Sequence, residues 1–124
     1  MNILEYPGKL EGEDWFRMKS HVYYTYSFLN QMGLDENIIH IASSHHEFLD
    51  GSGYPFGLDR SSLSIGAQIM TVADIYSALR KKRPYRDKAF SHKDAVNLLI
   101  DLANKGKVNR EVVRILEKIE IDIF

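Results

Sequence analysis

The chain has 124 residues, of which 44% are hydrophobic and 27% are charged, a balance typical of one soluble globular domain. Its formal net charge of -1 excludes a general electrostatic attraction to nucleic acid, and the absence of cysteine excludes disulfides and thiolate metal ligands. No apolar run approaches the ~18 residues that a membrane-spanning helix needs. We therefore expect one cytoplasmic domain over residues 1–124 that binds neither nucleic acid nor membrane.

The first two predicted elements are helices joined by a short turn. Between about residues 13 and 32, apolar side chains recur at helical spacing, namely Trp15, Met18, Val22, Tyr26 and Leu29. Gly33 follows as a residue typical of a helix end. Asp35 can cap a second helix that leads toward His45 and His46.

The rest of the chain is divided by glycine, proline and capping residues. Residues 50–59 contain three glycines and a proline, which favours a loop. A third helix is predicted over about residues 62–81, and it is expected to be the central, buried helix because most of its sides are apolar. Its apolar residues are Leu63, Ile65, Ile69, Met70, Val72, Ile75, Tyr76 and Leu79.

Two further helices complete the predicted fold. Ser91 and Asn109 can cap a fourth and a fifth helix, and Gly106 lies between them. No segment shows a sustained two-residue alternation of apolar and polar side chains. The sequence therefore predicts an all-α bundle of about five helices.

The first candidates for chemistry are the consecutive residues His45-His46-Glu47. On a helix, adjacent side chains point about 100° apart, so the two histidines cannot easily share one tetrahedral ion. They could serve two neighbouring ions, or lie where the helix ends. His21 and Asp74 are further candidates, and histidine with carboxylate suits zinc, manganese or iron.

Ordinary structural roles compete with these assignments. A histidine in a helix is commonly a surface or hydrogen-bonded residue, and we interpret His40 as structural and His92 as a surface residue. Asp74 lies in a strongly apolar helix, where an unpaired carboxylate would be costly to bury. Either a polar groove, a nearby arginine or a metal could compensate its charge.

The loop from Gly51 to Gly57 is either a turn-rich connection or a ligand-binding segment. Gly51 and Gly53 permit positive φ and let a ligand approach the backbone closely. Pro55 favours an extended Tyr54, which would project the ring and hydroxyl away from the chain. Such a loop could offer backbone N–H groups to an anion and a phenol to a phosphate.

The densest basic cluster lies between Arg80 and Arg86. Cations near the end of the third helix are stabilised by its dipole, which is a sufficient structural reason for several of them. Arg83 and Arg86 flank Pro84-Tyr85, and guanidinium groups bind phosphate oxygens bidentately. Beside a metal they would hold a phosphodiester, and without a metal they are a solvated charge run.

Four sequence blocks, in this order along the chain, resemble those of the HD-GYP family. The longest runs from His45-His46-Glu47 through Asp50-Gly51-Ser52-Gly53-Tyr54-Pro55 to Leu58. The others are Pro7-Gly8-Lys9-Leu10 with Trp15–His21, then Val72–Leu79, then Arg83-Pro84-Tyr85-Arg86. The resemblance covers nearly the whole chain, including Gly106-Lys107-Val108.

This resemblance implies an HD-superfamily bundle of helices that holds a cluster of divalent metals, often iron or manganese. The implied metal ligands are His21, His45, His46 and Asp74. The implied contacts to cyclic di-GMP are Gly53, Tyr54, Arg83 and Arg86. Enzymes of the family open this cyclic dinucleotide to its linear form, and some continue to GMP.

The sequence also departs from the family pattern. Relatives carry a His-Asp-x-Gly-Lys motif and an upstream histidine before the Pro-Gly-Lys-Leu block, and this sequence has no counterpart of either. We therefore expect a partial HD-GYP domain without the first family helices, with weakened metal binding and weak or absent hydrolysis. An apolar patch should be exposed, which favours a homodimer or docking to another chain.

Three functions remain open at this point. The first is a metal-dependent phosphodiesterase of the HD-GYP type. The second is a non-catalytic module without a required metal, which binds cyclic di-GMP or a signalling protein such as a diguanylate cyclase. The third is another HD-superfamily nucleotide phosphohydrolase, which the Gly53-Tyr54-Pro55 loop disfavours because ordinary members lack that block.

Overall fold

The computed structural model describes residues 12–81 and 89–119, with side chains from residue 20 onward. Five helices lie in these ranges, namely α1 (Gly12–Gln31), α2 (Glu36–Ser44), α3 (Ile65–Arg80), α4 (His92–Asn104) and α5 (Arg110–Glu117). These ranges contain no strand, only an isolated antiparallel bridge between Asp50 and Asp59. The prediction of an all-α fold is confirmed. None of the described helices combines the length and apolar character that crossing a bilayer requires.

Local side-chain caps explain where most of these helices begin. The side chains of Asp35, Ser91 and Asn109 accept hydrogen bonds from backbone N–H groups in the first turns of α2, α4 and α5, as predicted. The third helix begins slightly later than predicted. Ser64 caps it, so the first helical residue is Ile65.

The main core lies between α3, α4 and α5. Val72, Ile75 and Leu79 of α3 pack with Leu99 of α4 and Val113 of α5, and all five are buried. The third helix also packs against α2. It is therefore the central helix of the described fold, as the sequence predicted.

One face of α3 is exposed, which corrects the prediction that this helix is buried on most sides. Ile65, Ile69 and Met70 are 60%, 46% and 43% exposed. Ile65 and Ile69 are four residues apart and therefore lie on the same side of the helix, and Met70 follows Ile69 directly. They agree with the expectation of an exposed apolar surface.

The segment between α2 and α3 has a small core of its own. Leu49 and Leu63 are buried together with Ala67 of α3, and Leu58 packs against them. These contacts fix residues 45–64 against the beginning of α3. This segment carries most of the residues that the sequence singled out for chemistry.

Candidate metal centre

Three of the four predicted ligands converge where α2 ends. The last residue of α2 is Ser44, His45 is its C-cap residue, and His46 follows in the loop. Asp74 lies within α3, which packs against α2. One ligand atom of His45, one of His46 and one of Asp74 all lie within 4.8 Å of one another. Two neighbouring helices thus bring three metal-ligating groups together.

The end of the helix explains why two adjacent histidines can face one point. The expected 100° separation applies to residues inside a helix, and His46 lies beyond it. The ring centroids of His45 and His46 are 4.1 Å apart, with the ring planes at 46°. The two histidines lie at a helix end, which was one of the alternatives, and whether they share one ion or serve two stays a prediction.

The hydrogen bond of His45 and the burial of His46 both suit metal binding. His45 Nδ1 lies 2.9 Å from the carbonyl oxygen of Ala42. A carbonyl only accepts, so Nδ1 donates this hydrogen bond and Nε2 is the ring nitrogen left for a metal. Burial, with a further contribution from His45, lowers the pKa of His46 to about 3. The His46 imidazole is therefore held in the neutral form that metals bind.

Asp74 supplies the carboxylate of this group. It is half-buried in α3, next to the buried residues Ile75 and Tyr76. Two imidazoles and one carboxylate are a ligand set typical of zinc, iron and manganese, and three protein ligands leave coordination positions for water or substrate. The donor set therefore fits a divalent metal.

Tyr54 packs directly on the cluster. Its ring stacks on that of His46 with 5.0 Å between centroids and 11° between planes, and its N–H donates to the His46 carbonyl oxygen at 3.2 Å. The residue is only 3% exposed, so the prediction that its ring projects away from the chain is wrong. Burial, together with the Asp74 charge, raises the pKa of Tyr54, so its hydroxyl stays a hydrogen-bond donor at neutral pH.

Gly53 is required by a close approach of two backbone segments. A Cβ at this position would overlap the carbonyl oxygen of His46 and the backbone of Glu47 and Phe48. The predicted positive φ is found at Gly51, at 81°, and not at Gly53. The close approach that Gly53 permits is to this chain's own backbone, and its contact with a ligand stays a prediction.

A buried carboxylate that sequence reasoning missed organises the loop. Glu47 is 1% exposed, and its two oxygens accept hydrogen bonds from the N–H groups of Phe56 and Leu58, each at 2.9 Å. Such charge-assisted bonds are stronger than neutral ones. The only signal in the sequence was a carboxylate directly before a glycine-rich segment, whose N–H groups need acceptors.

Lys107 connects the loop to the C-terminal half of the domain. Its Nζ donates to Ser52 Oγ at 2.8 Å and to Asp50 Oδ2 at 3.2 Å. Its carbonyl oxygen accepts from the Leu49 N–H at 2.9 Å. Sequence reasoning placed Lys107 in a family block and gave it no role at the site. The loop therefore depends on a residue more than fifty positions away.

Comparison with known proteins identifies the family. The model of the HD domain matches residues 1–112, which is most of the chain. The chain belongs to the HD domain family. This confirms the family resemblance drawn from the sequence.

The HD domain described here is similar to phosphodiesterases of several bacteria. It is 40% identical over 84 residues to 3'3'-cGAMP-specific phosphodiesterase 3 of Vibrio cholerae, covering 68% of this chain and 18% of that protein. It is 39% identical over 90 residues to a cyclic di-GMP phosphodiesterase response regulator of Xanthomonas campestris, covering 69% and 23%. It is 37% identical over 92 residues to a cyclic di-GMP phosphodiesterase of Thermotoga maritima, covering 68% and 24%. The chain spans 18–24% of the length of these curated relatives.

Three predicted site residues of this HD domain lie outside the cluster or outside the described residues. His21 is exposed on α1 and is not one of the three converging groups, although its charge contributes slightly to the lowered pKa of His46. Arg83 and Arg86 fall within residues 82–88, which the structure does not describe. The roles of all three stay predictions.

The other two histidines of the HD domain have structural partners. His40 Nε2 accepts from the Ser64 N–H at 3.1 Å, which joins α2 to the beginning of α3 and agrees with a structural role. His92 Nδ1 lies 2.8 Å from the Tyr76 hydroxyl oxygen, and its Nε2 lies 3.2 Å from the Glu117 carbonyl oxygen. His92 therefore links α3, α4 and α5, which corrects its interpretation as a surface residue.

Proposed function

We propose that this HD domain is a metal-dependent phosphohydrolase of the HD-GYP type that acts on a cyclic dinucleotide. The convergence of His45, His46 and Asp74 within 4.8 Å carries the proposal. The similar proteins are phosphodiesterases named for cyclic di-GMP or 3'3'-cGAMP, which supports a substrate of this class.

The metal site of the proposal uses the groups at the end of α2. His45, through Nε2, would bind a divalent iron, manganese or zinc ion together with His46 and Asp74, and His21 would be a further ligand. When bound, such a metal supplies activation of water and neutralisation of the charge that develops on the phosphate oxygens. The stacked ring of Tyr54 keeps the His46 imidazole in a fixed orientation.

The proposal also assigns phosphate contacts to residues of the glycine loop (51–57) and of the basic segment that follows α3 in sequence. Tyr54 would donate a hydrogen bond to a phosphate oxygen once its hydroxyl, which is protonated and buried, becomes accessible. Gly53 lets the loop lie close to the backbone segment that carries the candidate metal ligand His46. Arg83 and Arg86 would bind phosphate oxygens bidentately, as arginine does elsewhere.

Metal content and product formation test the proposal together. The purified chain is loaded with Mn²⁺, Fe²⁺ or Zn²⁺, its bound metal is measured by mass spectrometry, and products of cyclic di-GMP and 3'3'-cGAMP are separated by chromatography. We expect bound metal and, in keeping with the weakened site expected from the sequence, slow formation of a linear dinucleotide. Both should be lost in His46→Ala and Asp74→Asn and kept in Asp101→Asn, an exposed carboxylate of α4.

Two results would change the assignment. A chain that retains no metal and forms no product contradicts the proposed function. A chain that binds metal and dinucleotide but forms no product would instead be a non-catalytic cyclic-dinucleotide-binding module.

The proposal includes association with a second copy or with a signalling protein such as a diguanylate cyclase. The exposed apolar side chains of Ile65, Ile69 and Met70 on α3 support it. Sedimentation velocity of the wild-type chain and of Ile69→Lys tests the homodimer. We expect a dimer that Ile69→Lys disrupts, and a wild-type monomer at every concentration would contradict this part.

A further inference from the structure

The ammonium group of Lys107 contacts residues 48–52 at three points. Its Nζ donates to Ser52 Oγ at 2.8 Å and to Asp50 Oδ2 at 3.2 Å. The same Nζ lies 5.1 Å from the centre of the Phe48 ring, a distance at which a cation is attracted to the ring face. One charged group therefore holds two acceptors and one ring of a single short segment.

The backbone of Lys107 is fixed independently of that segment. Its N–H donates to the carbonyl oxygen of Leu102 at 2.9 Å, directly after Gly106 takes a φ of 76° at the end of α4. The next residue, Val108, is buried in the core. The carbonyl oxygen of Lys107 then accepts from the Leu49 N–H at 2.9 Å. The ammonium group is therefore presented to the loop from the rigid core.

The segment that Lys107 contacts lies between a candidate metal ligand and the ring that packs on it. Asp50 follows His46 by four residues, and Ser52 precedes Tyr54 by two. The Tyr54 N–H donates to the His46 carbonyl oxygen, and the two rings stack with 5.0 Å between centroids. A shift of residues 50–52 would therefore move the Tyr54 ring relative to the His46 imidazole.

The ion pair of Lys107 and Asp50 is better suited to fixing geometry than to stabilising the fold. Hydrogen bonds from Ser52, with a further contribution from Lys107, lower the pKa of Asp50, so its carboxylate is ionised at neutral pH. The two side chains of the pair are 28% and 35% exposed. Exposed ion pairs contribute little to stability, because water screens them. Their direction still limits where residues 50–52 can lie.

We propose that Lys107 is a positioning residue of the metal centre, whose ammonium group holds residues 50–52 and thereby keeps Tyr54 stacked on the His46 imidazole. The inference rests on the proposed function, because that function makes His46 a metal ligand. It adds to the site a residue of the C-terminal half that is none of the predicted ligands.

The Mn²⁺ affinity of the full chain, measured against a competing chelator, is the first test. Lys107→Met keeps most of the side chain and removes the ammonium group. We expect about tenfold weaker binding, as when an outer-shell partner of a metal ligand is lost. Lys107→Arg keeps a cation that can donate to both acceptors, so it should restore the affinity. Lys105→Met, at an exposed lysine where α4 ends, should bind like the wild type.

Nuclear magnetic resonance provides a second readout that needs no metal. The ring current of Tyr54 shifts the signals of the His46 ring protons, which are identified by their loss in His46→Ala. Lys107→Met should move these signals toward those of an unstacked imidazole, and Lys107→Arg and Lys105→Met should keep them. A residue that only stabilised the fold would change the urea midpoint and leave these signals of the folded protein unchanged.

Asp50→Asn removes the same ion pair from the side of the loop. It should change the Mn²⁺ affinity and the His46 signals in the same direction as Lys107→Met, and it decides the outcome if Lys107→Met does not fold. The double variant should bind Mn²⁺ no more weakly than the weaker single variant, because both changes remove one interaction. Additive losses would show that the two residues act independently and would overturn the inference.

The remaining failures are distinguishable. Wild-type Mn²⁺ affinity and His46 signals in folded Lys107→Met, or equal losses in Lys105→Met, would overturn the positioning role. A wild-type chain that binds no Mn²⁺, with His46 signals that depend on Lys107, would contradict the proposed function and keep the role of Lys107 in stacking Tyr54 on His46. Mn²⁺ binding that does not depend on Lys107 would do the reverse.

Discussion

The core between α3, α4 and α5 and the loop of residues 45–64 are stabilised in different ways. Leu99, Val72 and Val113 of the core are at most 1% exposed, and their contacts are apolar. The loop is held by the buried carboxylate of Glu47 and by the ammonium group of Lys107, which bind the backbone and side chains of loop residues.

This difference separates stability from the geometry of the site. Apolar burial is non-directional and proportional to area, so it stabilises the fold without specifying where a ligand atom lies. Hydrogen bonds have strict geometry, so the groups that bind the loop determine the positions of Tyr54, Phe56 and His46. Changes in the core should therefore lower stability first, and changes in the loop should alter binding first.

The largest expected effect is on stability, in Leu99→Ala. Leu99 is fully buried in the core, so its truncation leaves a cavity and should lower the free energy of unfolding by about 4 kcal/mol. Urea unfolding measures this change. The metal affinity of the folded fraction should stay that of the wild type. A loss of metal affinity in fully folded protein would contradict the separation of stability from the geometry of the site.

Gly53→Ala should change both the stability of the fold and the geometry of the loop, and the loop should change more. The new Cβ would overlap the backbone of residues 46–48, and relieving this overlap should cost about 3 kcal/mol and displace Tyr54 from His46. Urea unfolding and Mn²⁺ titration measure the two effects. Ser62→Ala, at an exposed loop position, is the control. Wild-type values for Gly53→Ala in both assays would show that the close approach is not required.

Glu47→Gln tests the loop with little change in volume. The amide replaces one accepting oxygen with a donor that faces a backbone N–H, so the stability should fall by about 2 kcal/mol. Mn²⁺ binding should weaken as well, because the loop that this carboxylate holds carries Tyr54, which stacks on His46. Glu111→Gln, at an exposed first-turn glutamate of α5, is the control. If Glu47→Gln unfolds like Glu111→Gln and binds Mn²⁺ like the wild type, Glu47 does not organise the loop.

The smallest expected effect is on stability, from the loss of one hydrogen bond at the core between α3, α4 and α5. Tyr76→Phe removes the hydrogen bond to His92 and keeps the ring, so the stability should fall by about 1 kcal/mol. Thermal unfolding measures this change, and metal binding should be unaffected. A variant with weaker metal binding would show that the two regions are coupled more closely than their contacts indicate.

The helices could be predicted from the sequence because their signals are local. Asp35, Ser91 and Asn109 each bind N–H groups two or three residues away, so a short window of sequence contains both partners. The beginning of α3 was predicted a few residues early. Several serines precede it, and which one becomes the cap depends on the loop, where Ser61 instead binds Asp59.

The candidate ligands could be named from the sequence, but their geometry could not. His46 faces His45 and Asp74 because α2 ends at Ser44 and because Tyr54 stacks on the ring, and neither fact is encoded in the spacing of the residues. The acceptor role of Glu47 depends on N–H groups nine and eleven residues away. The exposure of Ile65 and Ile69 depends on which apolar face lacks a packed neighbour, and composition does not specify this.

The most direct test of the account is a Mn²⁺ titration, against a competing chelator, of the wild-type chain, His46→Ala, Asp74→Asn and Asp101→Asn. If the groups at the end of α2 form a metal centre, the wild-type chain and Asp101→Asn bind Mn²⁺ with equal affinity. The other two variants should bind at least about 100-fold more weakly, since even outer-shell changes commonly cost this much. Equal Mn²⁺ affinity in all four proteins, or no binding by the wild-type chain, would contradict the account.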